Sequence, residues 1–86
     1  MYKYHEDPGH GWIEVPMKEL RRLKIADRIS PFSYRAGGIA YLEEDCDASV
    51  WVNAKTAAGE DIKTERVHTN HDSFVRNLPS YENPIR

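Results

Sequence analysis

The chain has little of what usually marks a protein's chemistry. Its single cysteine, Cys46, excludes an intrachain disulfide, and there is no C-x-x-C pair of the kind that holds zinc. A lone thiol fits a reducing compartment, so a cytoplasmic protein is expected. No apolar run approaches the ~20 residues that cross a bilayer. The opening Met1-Tyr2-Lys3-Tyr4-His5 lacks a basic segment followed by an apolar stretch, so no secretory signal is expected. A basic excess is also missing. The net charge is −2 and the pI near 6.0, against the clear positive charge of most nucleic-acid-binding domains. Internal repeats, low-complexity tracts and linkers are absent. What remains is 86 residues, 40% apolar and 30% charged, which suits one core and not two. A core this small leaves little room for a deep cleft, which favours a protein that works through its surface.

Residues 2–6 alternate aromatic and polar side chains, as a strand does. The turn formers Asp7-Pro8-Gly9-His10-Gly11 separate them from a second strand, 12–15, with Ile13 and Val15 on one face. Pro16 fits the first position of a helix over 17–25, and Ser30-Pro31 breaks the chain. Residues 32–35 and 39–42 form a hairpin around Ala36-Gly37-Gly38, the latter strand apolar on both faces and therefore interior. A helix over 46–58, capped by Asp45 and ended by Gly59, carries Trp51 and Val52 on its buried side. Charged residues 61–68 read as an edge strand. The order β-β-α-β-β-α-β predicts a two-layer α+β domain over 1–68. Its mostly antiparallel sheet of four or five strands carries two helices on one face. Residues 69–86 form an irregular tail, partly docked through Phe74, Val75, Leu78 and Tyr81. The expected core is Tyr4, Ile13, Val15, Leu20, Leu23, Ile39, Tyr41, Trp51 and Ile62.

Five features could carry chemistry. The acidic run Glu43, Glu44, Asp45 and Asp47 reads as helix capping, as a partner-facing patch, or as hard oxygen ligands for Mg²⁺ or Ca²⁺, though it lacks the alternating carboxylates of a calcium loop. The loop Gly9-His10-Gly11-Trp12 could cradle an anion on its backbone N–H groups while Trp12 stacks on a ring, with Arg35 in support. Alternatively it is a hairpin loop whose Trp covers the core edge. His68 and His71 with Asp72 combine imidazole and carboxylate, the groups of a zinc site or a general base, but at a strand end, not on a helix, and without a C-x-x-C partner. Lys18, Arg21, Arg22, Lys24 and Arg28 could meet phosphates or simply face water. Cys46 lies near a helix start among carboxylates that oppose a thiolate, so a buried, inert thiol is expected.

Taken together, residues 7–16 (Asp7-Pro8-Gly9-His10-Gly11-Trp12-Ile13-Glu14-Val15-Pro16), 23–30, Tyr41-Leu42-Glu43-Glu44-Asp45-Cys46-Asp47-Ala48, Ser73-Phe74-Val75-Arg76 and Pro79-Ser80-Tyr81 resemble a group of small proteins encoded by tailed phages, prophages and plasmids. The likeness spans most of the chain. It carries over no activity and no catalytic residue. It implies a mobile-element accessory protein acting inside a bacterial host, of the kind that binds and modulates a host or defence component.

The leading expectation is therefore a non-enzymatic protein without a cofactor. It would bind a host protein, or itself, through Glu43, Glu44, Asp45 and Asp47 and through exposed aromatics, Trp12 and Tyr81. A small-ligand or nucleotide binder using Gly9, His10, Gly11, Trp12 and Arg35 is the alternative. A metal-dependent enzyme around His68, His71 and Asp72 is another. The basic first helix offers a nucleic-acid reading, against the charge balance.

Overall fold

The computed structural model of the chain describes residues 1–82; the tail positions beyond Glu82 lie outside the described residues. Among these, β1 (Tyr2–Glu6) and β2 (Gly11–Pro16) form a hairpin, followed by α1 (Met17–Arg22). β3 (Tyr34–Ala36) and β4 (Ile39–Glu43) form a second hairpin, then come α2 (Ala48–Ala57) and β5 (Thr64–His68). The strands make one mixed sheet in the order β3-β4-β2-β1-β5, with β5 parallel to β1 and the other pairs antiparallel. No helix among the described residues is long and apolar enough to cross a membrane.

The helices are shorter than the sequence predicts, for local reasons. α1 stops at Arg22 because Lys24 turns left-handed (φ 61°). The Ile25 N–H then reaches back to the Leu20 carbonyl and the Lys24 N–H to that of Arg21, the pattern that closes a helix and reverses the chain. The reversal buries Ile25 beside Leu20. α2 begins two residues later than expected, because Asp45 does not cap it. Asp47 holds the cap position and spends its carboxylate elsewhere.

Alternate strand residues face opposite sides of a sheet, and here both sides are buried. On the helix side Ile13, Val15, Ala40 and Leu42 pack against Met17, Leu20 and Trp51, with Tyr4, Leu23 and Ile62 half-buried around them. Val52 faces water instead. On the other side Trp12, Tyr41 and Val75 form a second cluster with Tyr34, Ile39 and Leu78. Ile39 and Tyr41, expected in one core, belong to this second one.

The tail supplies the cover for that face. A 3-10 turn, Phe74–Asn77, brings Val75 onto it. The chain then passes the β3 edge, where the Arg35 N–H donates to the Pro79 carbonyl and Tyr34 bridges to Ser80. Finally the Tyr81 N–H binds the Ser33 carbonyl, and the Tyr81 ring enters the helix-side core with its hydroxyl donating to the Ala26 carbonyl. The tail thus clamps the β3 edge from both faces.

Charged groups join the helices to β1. Glu19 on α1 accepts from the Tyr2 hydroxyl and the Trp51 indole N–H, each at 2.6 Å. Buried Lys55 on α2 donates to the Tyr2 hydroxyl and to Glu60, each at 2.9 Å. These partners raise the Lys55 pKa against its burial, so the ammonium stays charged.

Candidate functional site

Two features far apart in sequence meet at one end of the sheet. The β2–β4 register sets Trp12 opposite Glu43, and the Glu44 N–H donates to the Gly11 carbonyl at 3.0 Å. The β1–β2 loop and the β4–α2 loop therefore lie side by side.

The first loop is built on Asp7, whose side chain is wholly buried. Its Oδ1 accepts from the Gly9 and His10 N–H groups, both at 3.0 Å, and its Oδ2 from the Ser73 N–H at 2.9 Å. Arg76, from the tail, adds Nε to Oδ2 at 2.6 Å and Nη2 to Oδ1 at 2.9 Å. The guanidinium, followed by the backbone donors, holds the Asp7 carboxyl far below the usual carboxylate range despite its burial. The N–H groups that could have cradled an anion are thus taken by the chain's own carboxylate, which removes the anion-loop reading of Gly9 and His10. Trp12 is buried, with Arg76 over its ring at 5.2 Å, so it cannot stack on a ligand. Its indole Nε1 is buried without a hydrogen-bond partner among the described residues, where ring packing and the overlying cation offset the loss.

The second loop is tied down by Ser33, which is fully buried. Its hydroxyl accepts from the Glu43 N–H at 2.9 Å and donates to Asp47 Oδ2 at 2.5 Å. Asp47 also accepts from the Ser30 N–H at 3.0 Å and the Ser30 hydroxyl at 2.7 Å. Asp47 therefore fastens the start of α2 to residues 30–33 and is no part of a surface. Glu43 is also buried, at 7% exposure, with Oε1 accepting from the Asp45 N–H at 2.5 Å.

The expected four-carboxylate surface is thus halved. Glu44 and Asp45 are exposed, and Glu43 and Asp47 are structural. Glu44 accepts from the Tyr4 hydroxyl, whose pKa is raised by burial and by that carboxylate. Both atoms press on Gly11, which leaves no space for a Cβ there. His10 stands beside them, half-exposed, with Nδ1 3.4 Å from Glu43 Oε2 and 4.0 Å from Asp45 Oδ2. Cys46 is exposed, not buried as expected. Its thiol pKa is raised by desolvation and by Glu43, Asp47 and Asp45, which makes it a poor nucleophile at neutral pH.

The other candidates are not brought to this end. Tyr81, expected as an exposed aromatic, is 1% exposed inside the core. Arg35 pairs with Ala40, three ladder positions from Glu43, and its Nε donates to the Gly37 carbonyl, away from residues 9–12. His68 is engaged by Glu6 and Asn70, and His71 Nδ1 meets the Asp72 carbonyl, so no shared ligand set forms there. Lys18, Arg21, Arg22, Lys24 and Arg28 are exposed, with Arg22 paired to Glu60 at 2.7 Å. Sequence reasoning missed Tyr4, Ser33 and Arg76 as supports of the site, since each reaches it from another element.

No protein-family model matches the chain, and neither a curated protein nor a solved structure does.

Proposed function

We propose that this chain is a non-enzymatic accessory protein of a mobile element that binds and modulates a host protein in the bacterial cytoplasm. The binding surface is the loop end of the sheet, with Glu44, Asp45 and His10 as its contact groups. One observation carries the reading. The exposed carboxylates sit on loops pinned by the hydrogen bonds of Asp7, Ser33, Glu43 and Asp47, so they are presented on a fixed frame. A preorganised acidic surface loses little entropy on binding and steers a basic partner toward it. The sequence resemblance to phage and plasmid proteins supports the setting.

The test is affinity capture from bacterial lysate with the wild type and a Glu44→Lys/Asp45→Lys variant, read by mass spectrometry. A protein held by the first and lost by the second, with the variant folded, supports the reading. Capture that ignores the reversal counts against it. Glu43 and Asp47 are left intact, because reversing them would break the frame itself.

A further inference from the structure

We propose that His10, Glu43 and Asp45 form a binding site for a borderline divalent transition-metal ion such as Zn²⁺. This goes beyond the protein-binding reading and does not depend on it. The ligand atoms of the three residues lie within 4.8 Å of one another, the one such convergence of His, Cys, Asp and Glu groups among the described residues.

The spacing fits a metal better than it fits the contacts present. Ligands about 2.1 Å from a tetrahedral ion sit roughly 3.4 Å apart. His10 Nδ1 and Glu43 Oε2 are 3.4 Å apart, and they are not in hydrogen-bond geometry. Asp45 Oδ2 lies 4.0 Å from the same nitrogen on a side chain 70% exposed, free to swing inward.

The buried carboxylates supply an independent observation. Asp7 and Asp47 are buried with both oxygens engaged. Glu43 is more than nine-tenths buried, yet only Oε1 accepts a hydrogen bond; Oε2 has none among the described residues and faces His10. That unbonded oxygen is available to a cation. His10 is the counterpart. His5 pairs with Glu14, and His68 with Glu6 and Asn70, whereas the His10 ring accepts and donates no hydrogen bond among the described residues. Its backbone is meanwhile fixed by Asp7. The frame holds one nitrogen and one oxygen in place, as outer-shell bonds do around metals.

The donor set selects the ion. Imidazole with two carboxylates suits Zn²⁺, Mn²⁺ or Fe²⁺, and a nitrogen ligand disfavours Mg²⁺ and Ca²⁺. Three protein ligands leave a coordination position open to solvent.

The experiment is titration of tag-free, metal-stripped full-length protein with Zn²⁺ by calorimetry and with Co²⁺ by visible absorption. One ion per chain is expected. His10→Ala and, separately, Asp45→Asn should weaken binding at least by the ~10–100-fold that even outer-shell changes cost. His71→Ala should leave it unchanged. His10→Gln serves if His10→Ala perturbs the fold, as judged by its amide spectrum. Absence of binding at ion concentrations on the order of 100 µM, some 5–6 kcal/mol of affinity, overturns the proposal. So does binding that survives both His10 and Asp45 substitutions, or that falls with His71→Ala. Equal competition by Mg²⁺ also overturns it, because it would mark a site made of oxygens alone.

Discussion

Asp7 and Arg76, 69 positions apart, meet in a two-point ion pair at 2.6 and 2.9 Å, and the same carboxylate shapes the β1–β2 loop. One buried group therefore does two tasks. It fixes the loop that carries His10, and it anchors the tail that covers the second face of the sheet.

Removing Arg76 leaves a buried carboxylate without its cation, which typically costs about 3 kcal/mol or more. Arg76→Ala is expected to lower unfolding free energy by that order in urea titrations. Amides of residues 74–81 should lose hydrogen-exchange protection before the strands do. A change below about 1 kcal/mol, within the range of an exposed ion pair, would contradict the structural role assigned to this pair.

The pair also sets an acid dependence. The Asp7 carboxyl is depressed in the folded state and titrates near ~3.9 when unfolded. The unfolded chain thus takes up the proton first as pH falls. The Asp7 contribution is complete above about pH 5 and is lost progressively below it. Glu60, held down to about 2 by Arg22 and Lys55, acts in the same sense. Stability measured against pH should fall less steeply in Asp7→Asn than in the wild type between about pH 5 and 2. Parallel curves would contradict the assignment.

Gly11 is the tightest point of the site, where a Cβ would collide with the Tyr4 hydroxyl and the Glu44 carboxylate. Gly11→Ala is expected to cost about 1–3 kcal/mol, as overpacking does, and to part Tyr4 from Glu44. Thermal unfolding reads the cost, and the amide shift of Glu44 reads the displacement. An unchanged melting temperature with an unmoved Glu44 would show that the loops are not tightly packed.

The sheet was largely legible in the sequence because its signals are local. Alternation marks β1, Gly37 with its positive φ closes the second hairpin, and the apolar run at 39–42 announces an interior strand. The second buried face was not legible. With Ile13 and Val15 taken as the buried side of β2, Trp12 falls on the outside by alternation, and only the tail returning over that face buries it. The tail's apolar residues, Val75 and Tyr81, lie on opposite sides of the sheet, so no periodicity reveals them. The acidic run was visible, but its division was not. Asp47 is buried by Ser30 and Ser33, contacts 17 and 14 positions away that no local pattern encodes. The nearness of His10 to Glu43 has the same origin, since it follows from the β2–β4 register.

The proposed contact of Glu44 and Asp45 with a host protein underlies the functional reading. Its most direct test is the affinity of the captured, purified partner for three folded forms: wild type, Glu44→Lys/Asp45→Lys, and a control reversal at Lys18 and Arg21 on α1. A loss of at least about 10-fold, near 1.4 kcal/mol, is expected for the acidic reversal alone, with weaker wild-type binding as salt rises. Equal affinity for wild type and the acidic reversal, or a loss confined to the α1 reversal, would contradict the proposed contact.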